Sequence, residues 1–259
     1  MTYKSKSLVQ AIDYNTIIGT GTTTSSSTAT INVVTYSDIN YGTDNLQTVD
    51  ILVPSTWDIT TNIGTPPKGV VLWIHGGGWI IGDKSQELGV TVSNVQLEYL
   101  VKANYIVVNA NYRLAASTSQ DPTPTGFFPN NVTDIQQIVN FLLSDGAGYT
   151  NAPNIGASRN MWRYTRAAAK SFGLMVAGGS AGGHLAIMGV MQNALNNGGI
   201  FPTSVLSIVG PMNLVTAGAS DAQNPAGTAA VGLINTYMNG GNPASASPYY
   251  QLSNWLANS

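Results

Sequence analysis

Two short runs of this 259-residue chain hold residue types that can carry acyl-transfer chemistry. The first is Leu174-Met175-Val176-Ala177-Gly178-Gly179-Ser180-Ala181-Gly182-Gly183-His184, in which Gly178, Ser180 and Gly182 spell G-x-S-x-G. A strand turning sharply into a helix at a serine needs glycine on both sides, because the strained turn leaves no room for side chains there. Such a turn lifts the hydroxyl above the sheet. The N-terminus of the next helix then favours the negative charge that develops in acyl transfer. The second run is His75-Gly76-Gly77-Gly78-Trp79, directly after the apolar stretch Val70-Val71-Leu72-Trp73-Ile74. Three consecutive glycines can bring backbone N–H groups close to an oxyanion.

These runs need a sheet to position them, and the rest of the chain supplies one. Strands are expected at Ile31–Thr35, Thr48–Val53, Gly69–Ile74, Tyr105–Ala110, Leu174–Ala177 and Val205–Val209, from their apolar and β-branched residues. Helices are expected between them. Asp134–Leu143 sets Ile135, Ile138, Val139 and Leu142 on one stripe. Met161–Ser171 is rich in Ala and Arg, Ala181–Asn193 follows the serine, and Ala229–Met238 lies downstream. Alternation of this kind predicts an α/β fold, a mostly parallel twisted sheet with helices on both faces. Residues 1–30 read as an arm, with Thr20–Thr28 a small polar linker tract, and residues 31–259 as the domain. The Gly- and Asn-rich segment from Leu143 to Arg159 reads as an irregular excursion.

At this level of detail the chain resembles the α/β-hydrolases of the carboxylesterase and hormone-sensitive-lipase-like branch, especially small esterases of acetyl or feruloyl groups on polysaccharides. The resemblance rests on Tyr41-Gly42 with Gln47 and Asp50, on His75-Gly76-Gly77-Gly78-Trp79 with Gly82-Asp83-Lys84, and on Asn111-Tyr112-Arg113-Leu114. Phe128-Pro129 with Asp134, and Gly179-Ser180-Ala181-Gly182-Gly183-His184-Leu185-Ala186, complete it. It implies that Ser180 is the nucleophile and that the N–H groups of Gly77, Gly78 and Ala181 form the oxyanion hole. It also implies that Trp79 lines the entrance to a substrate site and that Asp83 and Arg113 are structural.

The same resemblance exposes a departure. In that branch the catalytic acid and histidine follow the seventh and eighth strands. Here Val205–Val209 is the sixth, Ser247-Pro248-Tyr249-Tyr250 resembles the run-in to the seventh, and the sequence reaches Ser259. The expectation is a fold truncated after the sixth strand, with the triad incomplete. The chain has two histidines. His75 belongs to the glycine loop, which it would brace. His184 lies one helical turn past Ser180 and is the candidate stand-in for a base. Asp221 is the sole acid after Lys170 and sits in a polar loop. Two functions follow: ester hydrolysis through Ser180, or a non-catalytic α/β-hydrolase-fold protein that is structural or binds carbohydrate.

Composition narrows the partners. A net charge of -2 gives no electrostatic basis for nucleic-acid binding. The absence of cysteine excludes disulfides, thiolate metal sites and a thiol nucleophile. No histidine–carboxylate spacing, P-loop or dinucleotide fingerprint suggests a metal or cofactor, so none is expected. No apolar run has the length of a signal peptide or membrane span, and the chain reads as soluble. Expected substrates are a small ester or an acetylated polysaccharide. Leu8–Ile17 has a short likeness to the opening of tailed-phage virion proteins, which raises a virion or extracellular setting. Charged residues are only 8% of the chain, and none but Asp221 follows Lys170. The apolar edge at Val205–Val209 therefore lacks the lysines that normally protect an edge. It should be covered by residues 211–259 folding back, or by another chain in an oligomer or larger assembly.

Overall fold

Continuous runs of β-branched residues, too apolar for a half-solvated strand, must be covered on both faces. They become the centre of a six-stranded sheet. The computed structural model describes residues 32–85, 95–117, 122–144, 156–214, 226–249 and 251–252. Its strands are β1 (Val33–Asn40), β2 (Thr48–Pro54), β3 (Val70–Ile74), β4 (Ile106–Ala110), β5 (Leu174–Gly179) and β6 (Ser204–Ile208). They lie in the order β1-β2-β4-β3-β5-β6. The β1–β2 and β2–β4 pairs are antiparallel, and the β3–β4, β3–β5 and β5–β6 pairs are parallel. A two-residue ladder, Trp57–Asp58 with Ile63–Gly64, stands apart from this sheet.

The strand order reverses at β3, whose two neighbours are β4 and β5. In open parallel sheets such a reversal leaves a crevice beyond the carboxyl ends of the strands, and ligands bind there. Both chemistry-bearing runs leave the sheet at this point. Ile74 ends β3 beside Gly178 of β5, in register, so the loop after β3 and the turn after β5 start as neighbours.

Helices cover both faces. They are α1 (Val95–Lys102), α2 (Asn130–Leu143), α3 (Gly156–Phe172), α4 (Ala181–Asn196) and α5 (Ala226–Met238). Period-two alternation splits the sheet's side chains. Ile51, Val53, Leu72 and Val108 join Ile135, Ile138, Val139, Leu142 and Leu185 in one core, while Leu52 and Val107 meet Leu97 and Val101 of α1 in another. Alone, an eight-residue helix such as α1 is marginal in water. Burying Leu97 and Val101, at about 1.5–3 kcal/mol each, is what holds it. Eight residues are a shorter window than a helical period needs to be read, which is why the sequence does not announce this helix. The glycine in α4 at Gly189 permits close packing on α2, since a Cβ there would lie 2.6 Å from Ile135 Cγ2.

Two buried ion clusters fix the loops around the site. Asp134, fully buried on α2, accepts from Arg113 Nε (2.9 and 3.0 Å), Arg113 N (3.0 Å) and Gln47 Nε2 (2.8 Å). Lys84 pairs with Asp38 (2.7 Å) and Asp50 (2.9 Å). Burial alone would lower the Lys84 pKa, but bonds to these two carboxylates outweigh it and hold the ammonium charged. Asp83 accepts from Asn111 Nδ2 at 2.8 Å and from Ser85 N at 2.8 Å. Asp83 and Arg113 thus occupy structural positions.

Three expectations need correction or fall outside the described residues. Pro248, Tyr249, Gln251 and Leu252 are helical, following a 3-10 turn at Pro243–Ala246, where a strand run-in was expected. Pro243 and the side-chain cap of Asn242 on Ala244 N set that turn. The β6 edge is not covered by a fold-back of the described residues between 211 and 252. β6 is the last strand of the sheet, and Val205, Leu206, Ile208 and Val209 remain exposed. The arm at 1–30, most of the excursion at 143–159, Asp221 and Tyr250 lie outside the described residues.

Candidate active site

β5 runs apolar and buried to Gly179, and Ser180 then turns the chain into α4 with φ 52° and ψ −121°. No L-residue reaches that region without strain. Neighbouring backbone holds it there: Ser180 N–H donates to Ile208 O of β6 at 2.8 Å, and His184 N–H returns to Ser180 O at 3.1 Å. The flanking glycines are required by contact. A Cβ on Gly182 would sit 2.1 Å from Ile74 O and 2.5 Å from His75 O, and one on Gly178 would sit 2.5 Å from Gly182 O. The elbow therefore lies directly against the end of β3 and the start of the glycine loop. Ser180 is half-buried, and among the described residues its Oγ has no hydrogen-bond partner.

The loop after β3 is turned by its own carbonyl. Gly77 (φ 111°) accepts from Ile80 N at 3.2 Å and Ile81 N at 3.1 Å, and Gly78 follows at φ 59°. A Cβ on Gly77 would lie 1.9 Å from Ile81 O, so no other residue fits. Among the described residues, no backbone carbonyl takes the N–H groups of Gly77, Gly78 or Ala181. Ala181 opens α4, where first-turn N–H groups are free in any case. Tyr112 braces the loop, its hydroxyl donating to His75 O at 3.1 Å and its ring stacked on His75 at 4.4 Å.

Both histidines are buried and held neutral. Desolvation lowers the His75 pKa from 6.5 to about 4, only partly offset by its Nδ1 contact with Gly76 O at 2.6 Å. His184 is driven to about 4 for the same reason. Its ring is spoken for on both sides. Trp79 Nε1–H donates to Nδ1 at 3.2 Å, which leaves the proton on Nε2, 2.6 Å from Ala246 O. With the Nδ1 lone pair taken by the indole and the proton on Nε2, the ring as placed offers no free site to a serine proton.

Trp79 also differs from expectation. It is 4% exposed, stacked on Tyr237 of α5 at 4.5 Å with an interplanar angle of 11°, and so does not stand at an open entrance. Its backbone holds φ 65°. Two further α5 contacts are illegible in the sequence. Leu233 lies over Gly78, 3.1 Å from where a Cβ would stand, and the Tyr237 backbone carbonyl accepts from Phe128 N at 3.0 Å. The available signal was the i, i+4 spacing of Leu233 and Tyr237 on a helix.

Comparison with known proteins bears directly on this geometry. The BD-FAE family model matches residues 58–253, well over half of the chain. The chain belongs to the BD-FAE family. A curated "AB hydrolase superfamily protein" of Schizosaccharomyces pombe is 28% identical over 149 residues, 56% of this chain and 34% of that protein. Brefeldin A esterase, described as a bacterial homologue of human hormone sensitive lipase, superposes with a TM-score of 0.58 at 19% identity, covering 89% of this chain and 59% of that one. Esterase B from Lactobacillus rhamnosis gives 0.53 at 17%, covering 84% and 61%. A truncated carbohydrate esterase from gut microbiota gives 0.50 at 16%, covering 85% and 73%. At these identities the structures establish the α/β-hydrolase fold. The chain spans about a third of the curated relative and about three-fifths of the first two of these structures. The BD-FAE match contains the glycine loop, Ser180 and α5 within one continuous stretch.

Proposed function

We propose that this chain carries the nucleophile and oxyanion portion of a serine carboxylic-ester hydrolase. One observation carries the reading: a half-exposed serine held at φ 52°, ψ −121°, with its Oγ unengaged among the described residues. Strain of this kind costs about 1–3 kcal/mol and persists where surroundings fix it, commonly at catalytic positions. In the proposed reaction Ser180 Oγ attacks the ester carbonyl carbon as its proton passes to a base. The carbonyl oxygen becomes an anion received by the N–H groups of Gly77, Gly78 and Ala181. The alcohol leaves with a proton, and water releases the acid from the acyl-serine. His75 and His184 are both neutral and sequestered, so in this reading the base and its acid come from outside the described residues. Membership of the BD-FAE family and a fold shared with a carbohydrate esterase support a small acyl ester, or an acetyl ester on a polysaccharide, as substrate.

The sequestered histidines favour a second reading, a non-catalytic protein of the same fold that is structural or binds carbohydrate, such as a phage-particle component. A fluorophosphonate probe separates the two. The enzyme reading expects a mass adduct on Ser180 that disappears in Ser180→Ala. Folded protein that takes no adduct at saturating probe favours the second reading. Turnover of p-nitrophenyl acetate by this chain alone should be slight, because an oxyanion hole without its triad retains only about 10³–10⁴-fold acceleration over water.

A further inference from the structure

We propose that Trp79 and His184 form a buried strut that sets the spacing between the glycine loop and the Ser180 elbow, making His184 a positioning residue. The proposal rests on reading Ser180 with Gly77, Gly78 and Ala181 as the acyl-transfer site.

The strut is continuous. Trp79 follows Gly78 directly, and His184 stands one turn into α4, its N–H bonded to Ser180 O at 3.1 Å. Between the two side chains the indole N–H donates to His184 Nδ1 at 3.2 Å, and the rings meet edge to face at 5.2 Å. Beyond His184, Nε2–H reaches Ala246 O at 2.6 Å, which ties the assembly to the 3-10 turn. On its other side Trp79 stacks on Tyr237 of α5 at 4.5 Å, and Tyr237 meets the His184 ring edge to face at 5.8 Å. Trp79, His184, Tyr237 and Ala246 are each at most 4% exposed, so these contacts are neither screened nor exchanged with water.

Two features suggest a device rather than ordinary packing. Trp79 holds φ 65°, a region that costs a bulky residue about 1–2 kcal/mol. A glycine in a run of glycines would take that conformation freely, yet here a tryptophan does. The indole N–H is a donor only, so it selects one imidazole tautomer and fixes the ring's orientation. A protonated His184 would present N–H to N–H and break the strut. The desolvated ring, with a pKa of about 4, stays neutral at working pH, and among the described residues the one titratable group facing it is Tyr237. Displacement of a catalytic group by about 1 Å can cost about 10²-fold in rate, and two loops with no covalent link near the site are open to such drift.

The experiment uses the full chain. In ¹⁵N-labelled native protein, His184 should show the Nε2–H tautomer and remain neutral at pH 5; an Nδ1–H tautomer would overturn the strut. Trp79→Phe keeps the ring but removes the donor, and it should shift the amide resonances of Gly77 and Gly78. Unchanged resonances in folded protein sink the idea. His184→Gln can still accept from the indole and donate to Ala246 O, whereas His184→Leu can do neither. Fluorophosphonate labelling of Ser180 should fall about 10–10²-fold in Trp79→Phe and His184→Leu, and should recover to near the native rate in His184→Gln. A His184→Gln protein as slow as His184→Leu also overturns the proposal. If native Ser180 takes no probe, the enzyme reading falls, while the tautomer and the glycine resonances still decide the strut.

Discussion

His75 and His184 enter the fold neutral, and this sets how the protein should respond to acid. Burial holds both rings at a pKa of about 4, below the ordinary 6.5. The unfolded chain therefore binds two more protons than the native one between these values. The stability from burying neutral rings is whole above about pH 6.5 and is lost as pH falls towards 4. The loss is roughly 2–3 kcal/mol per ring, large against a total of about 5–15 kcal/mol. Urea midpoints should fall steeply between pH 6.5 and 4, and His184→Gln should remove about half of that slope. A flat profile across this window refutes the burial of both rings. The Arg113–Asp134 pair gives a second expectation. Asp134 is fully buried, and without the Arg113 side chain it keeps, among the described residues, only Gln47 Nε2 and the backbone N–H of position 113. Arg113→Met should cost about 3–5 kcal/mol in urea unfolding, and Arg113→Met with Asp134→Leu should recover part of it. Equal losses in the single and double variants would argue against an unpaired buried charge as the cause.

Between elements, glycines decide how closely the elbow approaches β3. A Cβ at Gly182 meets backbone carbonyls of Ile74 and His75, neither of which can rotate away. Gly182→Ala should therefore lower stability by about 1–3 kcal/mol or more and separate α4 from the loop. Gly232 provides the contrast: it is exposed on α5, with nothing within 4 Å of a Cβ. Gly232→Ala should stabilise by about 0.5–1 kcal/mol, since alanine loses less backbone freedom in a helix. Thermal unfolding of the two variants side by side checks both signs. A destabilised Gly232→Ala would mean that α5 is not helical at that position.

For the whole molecule the deciding feature is the β6 edge. Its five residues are uncharged, Val205, Leu206, Ile208 and Val209 are exposed, and no lysine or arginine follows Lys170. Edges without charge, proline or bulge invite pairing. A second copy of this edge meets no like-charge repulsion, so the expected partner is the protein itself. Sedimentation should show mass rising with concentration, with amide exchange across 204–208 slowing in parallel. Leu206→Lys, at mid-strand, should hold the protein monomeric. Fast exchange throughout Val205–Val209 in a monomer of constant mass rules this out.

By itself the sequence determined the elements that rest on local chemistry. G-x-S-x-G between apolar runs needs a strand, a strained serine and a helix, and those appear as β5, Ser180 and α4. The glycine loop, the central strands and the stripe of α2 were legible for the same reason: glycine geometry and hydrophobic period act over a few residues. Tertiary structure decided what depends on residues far apart in the chain. Trp79 and His184 are 105 positions apart, and His184 and Ala246 are 62 apart. No local pattern can show that a tryptophan expected at an entrance is buried under Tyr237, or that a histidine near a serine has both nitrogens engaged. The exposure of β6 is likewise a property of the assembled sheet, since a strand's neighbours, not its own residues, determine which of its edges is left open.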